Sequence, residues 1–331
     1  MIRTFTSARC LDHRPPRGFP ERPERLSGIL EHLRALGWPV VEVPAAREPA
    51  RAAVLAVHDA AYVERFERAA ERGDGLLDSA DNPLSEGSWE AAWAAVESAL
   101  AAADAAVAGG GPTFAAVRPP GHHAERALAM GFCYFNNVAA AAEHLRLRHG
   151  VERVAIFDFD VHHGNGTQHI FEARADVLYV STHQYPFYPG TGAVSERGVG
   201  AGEGATLNLP LPAHTGDEIY AEVIHGRVLP ALRAFAPDVL LLSAGFDAWQ
   251  RDPLGGMEVT EAGFAAWGRW LRDLAEEVCS GRVLALLEGG YDLASLPRLV
   301  EAHLRGLIGE QAGEGEIEPR SAEEEVDIAD W

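Results

Sequence analysis

The segment FDFDVHHGNG, residues 157–166, sets Asp158, Asp160 and His162 two positions apart, just where an apolar run ends. The preceding RVAIFDFD reads as a strand with a buried side, and residues two apart on a strand share a face. The glycines that follow end the strand, so the three polar side chains are expected to gather near its carboxyl end. In open parallel α/β sheets, ligands bind there. A buried carboxylate without a partner is costly. Backbone N–H groups and an arginine would satisfy the two aspartates. A metal would also do so, because Asp with His suits zinc or a similar divalent ion.

Four other polar stretches stand at or near ends of predicted elements. RPPGHHAE (118–125) carries adjacent His122 and His123 on a loop stiffened by prolines, where Gly121 allows close backbone approach. The plain alternative is a pair of surface histidines. SAGFDAWQRDPLGG (243–256) offers Asp247, which a helix cap or turn would equally explain. LEGGYD (287–292) turns tightly at Gly289 and Gly290 and projects Tyr291, unless that tyrosine merely packs on the turn. DNPLSEGSWEAA (81–92) leads from a turn into a helix, and Asp81 could be a simple turn former. Together the parts meet the needs of metal-assisted amide hydrolysis. Asp160, His162 and Asp247 supply three metal ligands, leaving coordination positions open for water and substrate. His122 and His123 supply base and acid. Tyr291 supplies a hydroxyl to the developing oxyanion.

The elements that must hold these residues alternate along the chain. Strand-like runs are TFAAV (113–117), RVAIFDF (153–159), DVLYVST (176–182), DVLLLSAG (238–245) and RVLALLEGG (282–290). Most are continuously apolar, as strands covered on both faces are. Amphipathic helical stretches lie between them, most clearly at 86–108, 136–148, 216–235 and 260–279. This is the βαβ rhythm of a parallel sheet in an α/β fold. No linker or repeat divides the chain, so a single catalytic domain is expected over 1–310. An acidic tail is expected over 311–331.

The 331 residues are 47% hydrophobic and carry a net charge of −21, which repels phosphate backbones and argues against nucleic acid as partner. A cationic substrate or partner suits that field better. All 28 basic residues are arginine. The absence of lysine excludes Schiff-base catalysis and a Walker-type phosphate loop. Three cysteines far apart in sequence, no apolar leader and no long apolar run predict a reduced, cytoplasmic chain with no membrane partner. Composition leaves room for a homo-oligomer.

With these motifs in order, the chain resembles the histone deacetylase superfamily. RPPGHHA, GFCYFNNVA, DFDVHHGNGTQ, YPGTG, SAGFDAWQRDPLGG and LEGGYD match its blocks over about residues 113–292, and GFPERPERL (18–26) extends the match. RPPGHHA, with Asn165 after HHG, is similar to the class II and bacterial amidohydrolase branch. The resemblance implies the arginase–deacetylase fold: a central, mainly parallel eight-stranded sheet with helices on both faces. It implies one catalytic Zn2+ held by Asp160, His162 and Asp247, with His122 and His123 as the catalytic pair and Asp158 orienting His122. It implies a structural K+ site from Asp158, Ser181 and the backbone carbonyls of Asp160, His162 and Thr182. Tyr291 would polarise the substrate carbonyl; a weakly active sub-branch has histidine there. Gly131, Phe132 and Tyr188 would wall an acyl-lysine tunnel, Tyr188 standing where the family more often has Phe. Asp81 would grip the substrate backbone at the rim, and Arg25 would lie in an inner pocket.

The expected function is removal of acetyl or another short acyl group from a primary amine, most directly acyl-lysine. An acetylpolyamine is the alternative. Relatives that prefer polyamines can carry an acidic gatekeeper in the DPLGG stretch, where this chain has Leu254. Two further readings are weaker. An arginase-like ureohydrolase would need Asp-x-His-x-Asp, and the chain has Gly164 at the last position. A non-catalytic acyl-amine binder would be favoured by loss of Tyr291 or a catalytic histidine, and all are present.

Overall fold

The computed structural model describes residues 1–109, 111–310 and 317. Apart from Ile317, the expected acidic tail lies outside the described residues. Eight strands form one sheet: β1 (Arg3–Thr6), β2 (Val40–Glu42), β3 (Thr113–Ala115), β4 (Val154–Asp158), β5 (Val177–Gln184), β6 (Thr206–Leu211), β7 (Val239–Ala244) and β8 (Val283–Leu287). Their order is β2-β1-β3-β8-β7-β4-β5-β6. Every pairing is parallel, where a mainly parallel sheet was expected.

The five strands read from apolar runs are the central ones. β4, β5, β7 and β8 are buried at every residue, as a sheet covered on both faces requires. The three strands that the apolar pattern did not announce are β1, β2 and β6. Of these, β2 and β6 are the edges. β2 is short and largely exposed, and β6 contains Pro210, which an edge tolerates because one side of its ladder goes unpaired.

Among the described residues, ten α-helices surround the sheet: α1 (Pro23–Ala35), α2 (Arg47–Val57), α3 (Ala60–Arg72), α4 (Ser88–Val107), α5 (Asn137–His149), α6 (Asn165–Phe171), α7 (Asp217–Val223), α8 (Leu229–Phe235), α9 (Glu261–Cys279) and α10 (Leu296–Leu307). α4 and α5 pack together with α2, while α9 packs on α10 and α10 on α1. α5 and α9 both rest on β7, so the two groups sandwich the central strands. The stretch 216–235, read as one helix, is α7 and α8 joined by a π-turn at Ile224–Val228. Pro230 has no N–H for the carbonyl four residues back, and the wider turn absorbs that break. The entry to α5 is fixed by Asn136, whose side-chain oxygen accepts the Ala139 N–H at 3.0 Å.

Candidate active site

The motif loops leave the carboxyl ends of β3, β8, β7, β4 and β5, which are consecutive in the sheet. Chain order reverses between β3 and β4 while β8 and β7 lie between them in space. This is the switch point at which such sheets open a crevice.

Asp160 and His162 do not continue the strand, as their spacing suggested. β4 ends at Asp158 and the chain then bends. The bend separates the three side chains: Asp158 turns to His122, whereas Asp160 and His162 meet Asp247. His162 Nδ1 lies 3.1 Å from Asp160 Oδ1 and 3.2 Å from Asp247 Oδ2. Backbone donors hold both carboxylates. Asp160 accepts the His162 and Gly289 N–H groups at 2.9 and 2.8 Å, and Asp247 Oδ1 accepts Val161 N–H at 2.9 Å. Asp247 Oδ2 is buried and accepts no hydrogen bond of good geometry. A Cβ at Gly289 would overlap that oxygen, so the turn after β8 must be glycine.

Burial and the neighbouring Asp160 charge push Asp247 up. Asp160 is driven up by burial too, but the His122 and His162 charges win and hold it below the carboxylate range. Burial lowers His162, yet its bonds and charges with these two aspartates lift it to about 10. Two buried carboxylates thus demand positive charge at the point where Nδ1 and the two oxygens converge. A tetrahedral ion with arms of 2.0–2.1 Å needs ligands about 3.3 Å apart, close to the separations found. The donor set of one imidazole and two carboxylates fits a zinc-like divalent ion.

The histidine pair is differentiated by its partners. His122 Nδ1 donates to Asp158 Oδ2 at 3.1 Å, and Tyr179 donates its hydroxyl to the same oxygen at 3.1 Å. Burial would lower His122, but the charges of Asp160 and Asp158 and the Asp158 bond raise it to about 10. His123 Nδ1 lies 2.7 Å from Asn165 Oδ1. The Asn165 amide nitrogen donates to Glu125 at 2.5 Å, which leaves the Asn oxygen as acceptor and places the His123 proton on Nδ1. Burial and the positive charges of His122 and His162 push His123 well below its usual value. One histidine is therefore held cationic and its neighbour, with rings 4.0 Å apart, neutral with a bare Nε2. Neighbouring groups with pKa values pushed apart are the signature of an acid–base pair.

A cavity of about 320 Å³ opens above these groups, lined by Asp81, Gly131, Phe132, Tyr188, Leu254 and Tyr291 with His123 and His162. Gly131 has φ +56°, and a Cβ there would run into the His123 ring. Phe132 also lies in the left-handed region, at φ +68°. Contacts with Phe19 at 5.0 Å and Tyr291 at 5.9 Å between ring centroids hold it there. Tyr291 has its backbone N–H on Asp252 Oδ2 at 2.6 Å, and burial lifts its phenol well above the usual value, keeping it a donor. Asp81 Oδ2 accepts both Gly131 N–H at 2.9 Å and the Tyr188 hydroxyl at 3.0 Å, and Oδ1 takes the Ser79 hydroxyl. The rim aspartate thereby joins opposite walls of the cavity.

A family model described as the histone deacetylase domain matches residues 19–307. The chain belongs to the histone deacetylase family. It is 42% identical to histone deacetylase 14, chloroplastic, of Arabidopsis thaliana over 77% of its own length; it spans 63% of the length of that relative. Its fold is similar to the crystal structure of the HDA15 HD domain, with TM-score 0.84, 36% identity, and coverage of 93% of this chain and 88% of that one. It is similar to nearly the same degree to acetylpolyamine aminohydrolase from Burkholderia pseudomallei, with TM-score 0.82, 35% identity, and coverage of 92% and 98%. The arginase–deacetylase architecture is thus established.

Three further residues named from the sequence, Arg25, Ser181 and Thr182, lie outside the lining of this cavity. Arg25 lies behind Tyr291: its guanidinium is 4.7 Å from the ring, Nε donates to Gly290 O at 2.6 Å and Nη2 to Glu288 O at 2.5 Å. It braces the Gly-Gly turn. Ser181 pairs in register with Asp158, and its hydroxyl bonds His183 Nδ1 at 2.9 Å; Thr182 Oγ1 is buried without a hydrogen bond. Sequence reasoning missed four residues that order the site. Glu288 accepts the N–H groups of Gly121 and His122 at 2.6 and 3.1 Å and so fixes the histidine loop. Asp252 holds Tyr291, Tyr179 supports Asp158, and Phe187 stacks on His162 at 5.4 Å. Glu288 and Asp252 sit inside the quoted motifs; Tyr179 is visible only once β4 and β5 are paired.

Proposed function

We propose that the protein is a zinc-dependent hydrolase that removes acetyl or other short acyl groups from a primary amine, with acyl-lysine as the leading substrate class. One observation carries this reading. Three metal-type ligands, two histidines of opposite charge preference and one half-buried phenol gather at a cavity of about 320 Å³, which His123, His162 and Tyr291 help to line. Asp160, His162 and Asp247 would hold the ion, which supplies carbonyl polarisation and an acidified water. His123, neutral and with bare Nε2, takes the proton from water. His122, kept cationic by Asp158, stabilises the negative charge that develops beside it. The Tyr291 hydroxyl donates to the carbonyl oxygen as it becomes an oxyanion. Once protonated, His123 can return that proton to the leaving amine nitrogen. Phe132, Phe187 and Tyr188 exclude water from the stem. Asp158, Ser181 and the carbonyls of Asp160, His162 and Thr182 are proposed as a structural K+ site beside the metal.

A second reading, an acetylpolyamine substrate, draws on the likeness to the Burkholderia aminohydrolase. Leu254 at the mouth argues against it, since a distal ammonium would meet an apolar side chain there. The experiment is turnover of matched acetyl-lysine peptides and acetylpolyamines by the purified chain, with and without chelator. Chelator-sensitive hydrolysis favouring peptides is expected. Turnover indifferent to chelator rejects the metal role, and no turnover of either class leaves an acyl-amine binder.

A further inference from the structure

A second cluster of metal-type side chains lies far from the catalytic loops. α4 and α5 end side by side at the amino-terminal edge of the sheet, where the chain enters β4 at Val154. Asp104 stands in the last turn of α4; His144 and His149 stand in the last two turns of α5. The Nε2 atoms of both histidines point at one oxygen, Asp104 Oδ1, at 2.7 and 2.6 Å. Their rings are 5.9 Å apart at an interplanar angle of 69°, so the two nitrogens approach from different directions. His144 is buried, His149 is exposed, and Asp104 is partly exposed.

We infer that Asp104, His144 and His149 form a second, non-catalytic site for a divalent transition-metal ion that ties α4 to α5. Two imidazoles with one carboxylate are the donor set of zinc, cobalt and nickel; the site has too much nitrogen for magnesium or calcium. The ligand atoms lie within 4.8 Å of one another, and the two N···O separations of 2.7 and 2.6 Å would have to open to about 3.3 Å to admit a tetrahedral ion in place of the shared protons. Two helices also direct their carboxyl ends here, where the dipole favours a cation. The solvent side stays open: His149 borders a cavity of about 350 Å³ shared with Glu152 and Asp238, which leaves room for water in the remaining positions. The bland alternative is a hydrogen-bonded His–Asp–His triad with no ion.

The test is metal stoichiometry of the full chain after chelator treatment and reloading with Zn2+, and separately with Co2+, whose visible spectrum reports nitrogen ligands. Wild type should take up two equivalents. Asp160→Ala/Asp247→Ala should keep one, and this one should vanish when His144→Ala/His149→Ala is added. His144→Ala/His149→Ala alone should keep one equivalent and full turnover, and should lose the part of the zinc-induced rise in Tm that the first double variant retains. Asp104→Asn, which keeps a hydrogen-bonding side chain, should also lose the second equivalent if the alanine variants fold poorly. Equal zinc stoichiometry in wild type and His144→Ala/His149→Ala, or no zinc on Asp160→Ala/Asp247→Ala, overturns the proposal. A wild type that takes up a single equivalent, unchanged in Asp160→Ala/Asp247→Ala and lost in His144→Ala/His149→Ala, would instead speak against the catalytic assignment alone.

Discussion

Replacing Tyr291 by Phe removes one oxygen and little else. The ring is held between the Arg25 guanidinium at 4.7 Å and Phe132 at 5.9 Å, and the backbone N–H by Asp252. None of these contacts uses the hydroxyl, so folding stability should change by less than about 1 kcal/mol, the scale of one hydrogen bond. The chemistry should change far more. A single oxyanion donor in a water-poor site is worth roughly 3–4 kcal/mol in the transition state, or about 100- to 1,000-fold in kcat. The loss should fall mainly on kcat, because the carbonyl of the ground state carries less charge. The assay is steady-state turnover of an acetyl-lysine peptide, with metal content measured in the same preparation. A trifluoroacetyl amide should narrow the gap, since its carbonyl needs less help. A Phe variant with near wild-type turnover and full metal content would refute the role, and would leave Tyr291 as a packing residue between Arg25 and Phe132.

Three other outcomes are expected. Asp160→Ala/Asp247→Ala should lose turnover and the equivalent of metal that wild type retains longest against chelator; retention of that equivalent would refute the ligand assignment. Glu21 is buried, which would raise it, but Arg118 donates to both of its oxygens at 2.7 Å and holds it at about 2. A depressed carboxylate stabilises fully above its ordinary value near 4.5 and loses that contribution as pH falls through about 2, here roughly 3 kcal/mol. Glu21→Gln should flatten urea stability against pH in that window. It should also lower stability at neutral pH by about 3–5 kcal/mol, because Arg118 is left buried and unpaired. Tyr188→Phe should loosen Asp81 and raise KM for peptides by up to about tenfold, one hydrogen bond's worth, with kcat and the KM of small acetylated amines unchanged; an equal kcat loss on both classes would contradict this.

What the sequence exposed and what it hid follow one physical rule. Each candidate part sits on a loop directly after an apolar strand, so composition and spacing single out Asp160, His162, Asp247, His122, His123 and Tyr291 as candidates without knowing the strand order. The parallel sheet then sets these loops side by side. Contacts between distant loops are not written locally. Tyr188 and Asp81 are 107 positions apart, and Arg25 and Gly290 are 265 apart. The family resemblance implies an inner-pocket place for Arg25; two of its hydrogen bonds reach Gly290 and Glu288 in the turn that carries Tyr291, and a third reaches Glu21. The period-two reading of Asp158, Asp160 and His162 failed for a related reason. A strand would have kept all three on one face, but the site needs Asp158 against His122 and the other two against Asp247, and only a bend after Asp158 allows both.

The same division explains why the reaction is easier to read than the substrate. The roles proposed for the floor residues follow from proton affinity and ligand geometry, which can be read from residue type and partners. The mouth is built from three loops that meet only in space: Asp81 from before α4, Tyr188 from after β5 and Leu254 from after β7. Asp81 is the single carboxylate among the residues lining the cavity, and the Tyr188 hydroxyl together with Gly131 N–H already occupies one of its oxygens. A distal ammonium passing the mouth would face Leu254 and a carboxylate whose charge is shared among three donors. A peptide backbone brings N–H groups that can add to the remaining lone pairs of the same carboxylate without displacing Tyr188. On the proposed function, the clamp that joins the two walls would favour a substrate that extends across the rim over one that only threads the tunnel, and this is the physical ground for proposing acyl-lysine ahead of an acetylated polyamine.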